Sequence, residues 1–183
     1  MDSSGALVGQ ATVEFANDEA LLAEVLRVYK PDCRYLKSAV VTGTESGLAA
    51  GRCEFAIPAP FYIDDTGHFN AVEFILCYNQ MVYYVVAKCV KEGLMPPFGQ
   101  WTLEQFRQRQ LANFLIVNFR SSFLQRVAAQ RFSGELVFTD LTHIAWRRII
   151  ATNTTCRYWD DADGNCSGEV RLAITNAPAV APA

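Results

Sequence analysis

The chain has 183 residues, a formal net charge of −3, an apolar content of 51% and a charged content of 19%. This length and composition fit one folded domain with a single sizeable core, with no half of the chain disordered. The small negative charge gives no support to nucleic-acid binding. The first ten residues contain neither a basic nor an apolar segment, so they predict no secretory signal.

Six cysteines form no CxxC pair, and none has metal-ligand spacing with His68 or His143, the two histidines of the chain. This pattern is typical of reduced thiols in a cytoplasmic protein, where most cysteines are small buried apolar residues. The sequence therefore predicts a cytoplasmic protein without a metal site.

Before the middle of the chain, the sequence predicts one short helix and a β-hairpin. The helix follows the capping and acidic residues of Asn17-Asp18-Glu19 and covers Ala20–Val28. The hairpin strands are Cys33–Thr44 and Leu48–Ile57, with a turn sequence between them. Residues 1–12 are expected to be loose.

The stretch from Asn70 predicts a long helix buried on every side, because its apolar residues lie nearly all round the helical wheel. Roughly twenty residues would span about 30 Å, the width of a small domain. A membrane span is the alternative. Polar residues inside the run (Glu73, Asn79, Gln80) and strand-like segments on both sides argue against it.

After the central helix, the sequence predicts a loop, a short helix and a series of strands. Thr102 and Gln105 have the spacing of a capping box, which predicts the start of the short helix. The strand-like segments are Leu111–Phe119, Gly134–Trp146, Arg147–Trp159 and Glu169–Ile174. The tail from Asn176 is expected to be loose.

Strands segregated from one enclosed helix predict a single α+β domain over residues 1–183, with a curled antiparallel sheet around the helix. This is the plan of a hotdog fold. A lone hotdog sheet leaves an edge strand and an incompletely covered helix, so we expect a homodimer or a higher even oligomer.

Polar residues collect between Tyr62 and Glu73, where the chain enters the central helix. The sequence contains no GxSxG, HExxH, P-loop or GxGxxG motif that would point elsewhere. A buried helix N-terminus offers unpaired N–H groups that would stabilise the oxyanion formed when a thioester carbonyl is attacked. His68 and Glu73 are the two candidates for the proton acceptor.

Each of these residues has a structural alternative. Asn70 and Glu73 fit a capping box, in which both side chains satisfy only backbone donors. His68 could be a turn residue without a catalytic part. Asn79 lies on the opposite side of the helix from Asn70 and about 13 Å farther along its axis, so it would act from a partner subunit or as support. A second face, expected to point towards the partner or the site, contains Glu73, Cys77, Gln80, Tyr84 and Lys88.

The region from Phe61 to Ala87 resembles the signature of the long-chain fatty acyl thioesterases of the single-hotdog type. The residues that carry the resemblance are Tyr62, Thr66–Glu73 and Ile75–Gln80, and further matches are Cys33–Leu36, Trp101-Thr102, Gln110-Leu111 and Ser167–Glu169. The resemblance covers most of the chain and implies site roles for Tyr29, Tyr62, Asn70 and Asn79.

Some members of that family add glycine to the β-carbon of a (2E)-enoyl group on an acyl carrier protein and then release the acid by hydrolysis. The resemblance therefore implies this activity, with a 3-(carboxymethylamino) fatty acid as product. Arg34 and Arg120 are candidates for binding the glycine carboxylate. A simple acyl-CoA or acyl-carrier-protein thioesterase and a non-catalytic acyl-binding module are the alternatives.

The expected partners are the acyl carrier protein, glycine, the enoyl thioester and a second copy of the chain, with no nucleic acid and no membrane. No cofactor is expected beyond the phosphopantetheine arm that carries the substrate. Because carrier proteins are acidic, docking on this acidic chain requires a local basic patch. The arginines that could supply it are Arg120, Arg126, Arg131, Arg147 and Arg148.

Overall fold

The computed structural model describes residues 13–44, 46–64 and 67–179. The helices in these ranges are α1 (Glu19–Leu26), α2 (Ala71–Glu92) and α3 (Leu103–Arg109). The strands are β1 (Val13–Phe15), β2 (Leu36–Gly43), β3 (Ala49–Phe55), β4 (Phe114–Gln125), β5 (Phe132–Phe138), β6 (Thr142–Ile144), β7 (Ile149–Trp159) and β8 (Asn165–Ile174).

All strands belong to one antiparallel sheet with the order β1-β2-β3-β5-β7-β8-β4, and β6 pairs with β7. One face of the sheet packs on α2. Gly51 of β3 lies so close that an added Cβ would stand 2.4 Å from Val85 Cγ2. The Tyr158 hydroxyl of β7 donates to the Phe74 carbonyl oxygen of α2 at 3.2 Å. The predicted α+β architecture is confirmed.

The sequence around α2 explains its length and position. Asn70 caps the first turn, and Gly93 ends the helix in the left-handed region, with a φ of 71°. Between them, every residue from Gln80 to Val90 is buried. Lys88 belongs to this buried run, and its ammonium pairs with Glu92 at 3.1 Å. Within the described ranges, no helix combines the length and apolar character needed to cross a membrane.

Most of the predicted elements are confirmed, but the edges of the sheet differ. β1 was not predicted, since three residues are too short for a clear alternation of apolar and polar side chains. Residues Pro31–Cys33 form a 3₁₀ turn, so β2 begins at Leu36 rather than Cys33. The segment predicted as one strand from Gly134 to Trp146 is divided into β5 and β6.

The tail also differs from the expectation. The Ala177 N–H donates to the Arg148 carbonyl oxygen at 2.8 Å, and the Arg109 guanidinium donates to the Asn176 carbonyl oxygen at 2.7 Å. Ala177 is fully buried. These backbone contacts hold Asn176 and Ala177 against the fold, while residues 1–12 and 180–183 lie outside the described ranges.

The α2 face expected to point towards a partner or the site lies mainly against this chain's own residues. Gln80 Oε1 accepts hydrogen bonds from the backbone N–H groups of Tyr35 at 3.0 Å and Leu36 at 2.9 Å. The Tyr84 hydroxyl accepts from the Asp18 N–H at 2.8 Å. Beyond the first turn of α2, this face therefore anchors the segments that precede α1 and β2.

Candidate active site

The N-terminus of α2 carries the capping box that the sequence predicts. The Asn70 side-chain oxygen accepts from the Val72 N–H at 2.8 Å. In return, Glu73 Oε2 accepts from the Asn70 backbone N–H at 3.0 Å. Glu73 is only 1% exposed, so its carboxylate depends on such donors. The capping role of Asn70 and Glu73 is thus present.

The cap uses only one oxygen of the Glu73 carboxylate. Oε1 accepts from the Tyr62 hydroxyl at 2.7 Å. The same hydroxyl accepts from Asn70 Nδ2 at 2.6 Å. Three predicted site residues therefore form a closed hydrogen-bonded group at the start of α2, and Tyr62, at 36% exposed, is its solvent-facing member.

The environment keeps the hydroxyl of Tyr62 protonated. Partial burial and the hydrogen bond to Glu73 raise the pKa of Tyr62, while the Asn70 amide opposes the rise. Burial also raises the pKa of Cys77, one helical turn from Glu73, well above its usual value, and the Glu73 carboxylate adds to that rise. Neither residue is suited to act as an anionic nucleophile, because the thiolate and phenolate forms are disfavoured here.

A cleft of about 380 Å³ opens beside this group, between the start of α2 and the end of β4. Its apolar wall contains Phe123 and Leu124, which are 43% and 71% exposed. Its other lining residues are His68, Phe69, Asn70, Ala71, Gln125 and Arg126. The cleft therefore combines an apolar wall with the polar entrance of the helix, as a site for an acyl group with a reactive polar end requires.

Arg126 is the cationic residue of this cleft. Its guanidinium donates to the Gly67 carbonyl oxygen at 2.9 Å, and the Phe69 N–H donates to the Val127 carbonyl oxygen at 2.9 Å. These two bonds attach the turn before α2 to the chain that leaves β4. The sequence predicts Arg126 only as a carrier-protein docking residue, because no local pattern indicates its contact with Gly67.

Tyr29 and Arg34 lie together at a different place on the fold. Arg34 Nε donates to the Tyr29 carbonyl oxygen at 3.1 Å. Burial, with smaller contributions from Tyr83 and Cys77, raises the pKa of Tyr29. Tyr29 therefore packs beside α2 on the side of Cys77 and Tyr83, one to three turns beyond the capping box. Its predicted role and that of Arg34 stay predictions.

Asn79 lies on the least covered side of α2. Val72 is 43% exposed, and Ile75, Leu76 and Asn79 are partly exposed, so residues at helical spacing form an open stripe along the first half of α2. This position separates Asn79 from the capping box of its own chain, as the helical wheel predicts.

Arg120 does not join the hydrogen-bonded group of Tyr62, Asn70 and Glu73. Its neighbour Phe119 packs on the Phe74 ring of α2, with ring centroids 5.3 Å apart. Because successive side chains of a strand point to opposite faces, Arg120 lies on the face of the sheet away from α2, where it pairs in register with Glu169. Arg120 therefore lies away from the Glu73 carboxylate of its own chain, and its predicted role in binding glycine stays a prediction.

The arginines expected to supply one docking patch are also dispersed. Arg147 and Arg148 precede β7, whereas Tyr158 near the other end of β7 contacts the first turn of α2. Ten strand residues separate these points by about 30 Å. Of these arginines, Arg126 and Arg131 lie exposed near the N-terminal end of α2. In the described ranges, no cluster of His, Cys, Asp or Glu is arranged to hold a metal ion.

Comparison with known proteins identifies the family of this chain. The FcoT-like thioesterase domain matches residues 24–174, which is most of the chain. The chain belongs to the FcoT-like thioesterase family. A solved candidate thioesterase from Syntrophus aciditrophicus superimposes with a TM-score of 0.50 at 11% identity, covering 86% of this chain and 95% of that one. At that identity, the likeness concerns the fold alone, which is hotdog-like.

Two sequence relatives of this FcoT-like chain carry a more specific name. A (2E)-enoyl-ACP glycyltransferase from Streptomyces coeruleorubidus, where ACP is acyl carrier protein, is 52% identical over 164 residues. That match covers 88% of this chain and 99% of the relative. A (2E)-enoyl-ACP glycyltransferase from Mycobacterium bovis is 39% identical over 176 residues, or 94% of this chain and 93% of the relative. The family resemblance inferred from the sequence is confirmed.

Proposed function

We propose that this FcoT-like protein adds glycine to the β-carbon of a (2E)-enoyl group held on an acyl carrier protein and then hydrolyses the thioester. The observation that carries the proposal is the Glu73 carboxylate, with one oxygen on the helix cap and the other on Tyr62 beside the cleft. The names of the two relatives agree with it. The product is a 3-(carboxymethylamino) fatty acid.

In the addition step, a base removes one proton from the glycine ammonium, and the freed amine forms a bond to the β-carbon. The electron pair of the carbon–carbon double bond moves towards the thioester oxygen as an enolate, and the α-carbon then takes up a proton. Glu73 is our candidate base, and His68, which lines the same cleft, is the second candidate. Protonated Glu73 is also placed to return the proton.

In the hydrolysis step, water attacks the thioester carbonyl, the carbon–sulfur bond breaks, and the phosphopantetheine thiol leaves with a proton. Negative charge develops on the same oxygen as in the addition step, so one set of donors serves both. The Asn70 side chain already caps the Val72 N–H, whereas Ala71 lines the cleft one residue earlier. We assign the oxyanion contact to the Ala71 N–H at the positive end of α2.

The carboxylate of glycine requires a cation beside the reacting amine. Arg126 supplies one at the cleft, with guanidinium N–H groups left over beyond its bond to Gly67. We therefore replace Arg120 by Arg126 as the candidate for this contact, and Tyr62 and Asn70 remain candidates for orienting the acyl carbonyl.

The open stripe of α2 supports a homodimer. Val72, Ile75 and Leu76 expose apolar surface there, and the edge strand β4 adds Leu115 and Val117, which are 47% and 59% exposed. A second copy covering this surface would bring its own residues, Asn79 included, towards the interface. The reaction is placed in the cytoplasm, in keeping with six cysteines that are all free thiols.

The test offers the purified protein a (2E)-enoyl group on an acyl carrier protein, with and without glycine, and identifies products by mass spectrometry. The proposal predicts the N-alkylated glycine acid when glycine is present. A plain enoic acid in both reactions would identify a simple thioesterase, and binding without any product would identify an acyl-binding module. Either result would overturn the proposal.

A further inference from the structure

Tyr35 is a buried tyrosine of the family-matching segment Cys33–Leu36, outside the hydrogen-bonded group of Tyr62, Asn70 and Glu73. The residue is 1% exposed. Among the described residues, its hydroxyl is one of two buried side-chain polar groups that have no hydrogen-bond partner, the other being the Trp101 indole N–H. A buried hydroxyl without a partner destabilises a fold, so its presence calls for a physical explanation.

The backbone of Tyr35 is held rigidly on both sides. Its N–H donates to Gln80 Oε1 of α2 at 3.0 Å, and its carbonyl oxygen accepts from the Ala56 N–H at 3.0 Å. Gln80 also donates to the Cys33 carbonyl oxygen at 2.6 Å. Gln80 therefore fixes the Cys33–Leu36 backbone to α2 two turns beyond Glu73, which lies about 10 Å back along the helix axis.

The ring of Tyr35 extends from this anchor towards the start of α2. Burial raises the pKa of Tyr35 to about 12, and Cys33, Cys77 and Glu73 contribute further to the rise. Cys77 and Glu73 are successive residues on one side of the helix, so the hydroxyl lies within electrostatic reach of the Glu73 carboxylate. The Phe61 backbone N–H lowers the pKa, because a donor beside the oxygen favours the phenolate, but its contact with the hydroxyl does not reach the geometry of a hydrogen bond.

The other hydroxyl at Glu73 has a competing task. Tyr62 donates to Glu73 Oε1 and is 36% exposed beside the cleft, where it is a candidate for orienting the substrate carbonyl. A hydroxyl has one proton to donate, so Tyr62 cannot serve the carboxylate and a substrate oxygen at the same time. When Tyr62 turns to the substrate, Glu73 loses a donor unless another replaces it.

We infer that Tyr35 is a positioning residue, whose hydroxyl donates to the Glu73 carboxylate while the Tyr62 hydroxyl is engaged by the substrate. This inference rests on the proposed function, in which Glu73 is the base. The groups that face Glu73 are the hydroxyls of Tyr35 and Tyr62, the Cys77 thiol and the Asn70 N–H, with His68 in the adjoining cleft. Tyr35 supplies the buried hydroxyl among them that has no hydrogen-bond partner, and a hydroxyl is a stronger donor than the Cys77 thiol.

The experiment compares the pH profiles of the wild type and Tyr35→Phe, which removes one oxygen atom. A hydrogen bond to a carboxylate favours the charged form, so its loss raises the pKa of that carboxyl. In the substrate complex, the acid limb of the kcat profile is expected to move up by about one pH unit, with about tenfold lower kcat below the limb. The acid limb of kcat/KM should stay in place, because it reports the free enzyme, where Tyr62 holds Glu73.

Tyr78→Phe is the matched control, since it removes a buried hydroxyl that is hydrogen-bonded to Thr154 Oγ1 at 2.7 Å. Tyr78→Phe should unfold at a lower denaturant concentration and keep both pH limbs, whereas Tyr35→Phe should unfold at the wild-type concentration or above it. A Tyr35→Phe profile identical to the wild type would overturn the inference. So would a loss of activity at every pH that follows a loss of stability.

A second measurement separates this inference from the proposed function. The Glu73 carboxyl is titrated by carbon NMR with a non-hydrolysable substrate analogue bound, in which a CH₂ group replaces the thioester sulfur and the carbonyl oxygen that engages Tyr62 is kept. Tyr35→Phe is expected to raise its pKa by about one unit in the complex but not in the free protein, whether or not turnover occurs. If the wild type makes no product, the proposed function fails, and the titration still supports or overturns the role of Tyr35.

Discussion

The Arg126 guanidinium donates to the Gly67 carbonyl oxygen across 2.9 Å and so joins the end of β4 to the turn ahead of α2. Gly67 has a φ of +67°, which side chains other than glycine rarely adopt, and an added Cβ would stand 3.0 Å from Arg126 Nη2. Glycine therefore permits both the turn and the close approach of the cation. The contact positions Arg126 beside the entrance of the helix.

Arg126→Ala is expected to raise the KM for glycine about tenfold or more, because a charge-assisted bond to the glycine carboxylate is lost. The assay uses a short enoyl N-acetylcysteamine thioester, which excludes any effect on carrier-protein docking. Arg120→Ala, on the opposite face of the sheet, is the control and should leave the KM for glycine unchanged. An unaltered KM in Arg126→Ala would remove Arg126 from the site.

Glu73→Gln separates capping from catalysis. Glutamine keeps the size of the side chain and an oxygen for the Asn70 N–H, so the free energy of unfolding should fall by no more than about 1 kcal/mol. Loss of a general base should lower the rates of addition and hydrolysis by roughly 10²–10⁴-fold. Urea unfolding and product formation are measured on the same preparation.

His68→Gln is the companion to Glu73→Gln. Loss of one step alone in His68→Gln would show that the two residues divide the proton transfers. Near-normal turnover of both steps in Glu73→Gln would leave Glu73 as a cap and transfer the role of base to His68.

Carrier-protein docking should depend on Arg126 and Arg131, the exposed arginines near the N-terminal end of α2. Arg131→Glu is expected to raise the KM for the carrier-bound substrate several-fold at low salt, because the carrier surface is acidic. Arg147→Glu, about 30 Å away beside the exposed Trp146, should have little effect. A larger rise in this KM for Arg147→Glu than for Arg131→Glu would place the docking surface at the start of β7.

The homodimer should depend on the open stripe of α2. Val72→Glu introduces a charge at the most exposed position of the stripe and is expected to shift the molar mass in light scattering from dimer to monomer at micromolar concentration. Val13→Glu, a similarly exposed apolar position on β1, is the control and should stay dimeric. A monomeric wild type under the same conditions would contradict the proposed assembly.

The fold should lose stability in alkali. Burial raises the pKa of the Cys53 thiol. Burial is also the main cause that raises the pKa values of Cys89, Cys156 and Cys166 to about 12. These thiols stay protonated in the native state, while the unfolded chain ionises near its ordinary value of about 9. The contribution of these thiols to the free energy of unfolding is therefore fully present below about pH 9 and is lost as the pH rises from 9 towards 12.

Urea midpoints measured between pH 7 and pH 11 check this expectation, and a flat profile across pH 9–11 would contradict it. A thiol reagent at pH 8 offers a second readout. These four buried cysteines should react only after denaturation, because the thiolate is the reactive form.

Much of the fold follows from local sequence patterns. Asn70 and Glu73 indicate where α2 begins because a capping box depends only on residues three apart. Thr102 and Gln105 place the start of α3 in the same way. The length of α2 follows from its run of apolar residues, which continues to Val90, and from Gly93, which ends the helix.

The cleft could not be predicted in this way, since it depends on pairing between distant segments. Simple alternation along β4 fails because the register shifts between Ile116 and Asn118 and again between Phe123 and Gln125. The first of these shifts decides that Phe119 and Phe123 face α2 and that Arg120 faces away. The contact between Arg126 and Gly67 joins residues 59 positions apart, and no local pattern encodes it.

β4 is at once an edge strand of the sheet and a wall of the cleft, so the proposed dimer would link assembly to substrate binding. A chain that pairs with or packs on β4 restricts the positions of Phe123, Leu124 and Arg126 and so changes the affinity of the cleft. By thermodynamic reciprocity, a bound acyl group changes the affinity of the subunits by the same factor. The apparent dissociation constant of the acyl ligand should therefore vary with protein concentration near the dissociation constant of the proposed dimer, and the two binding curves should shift together.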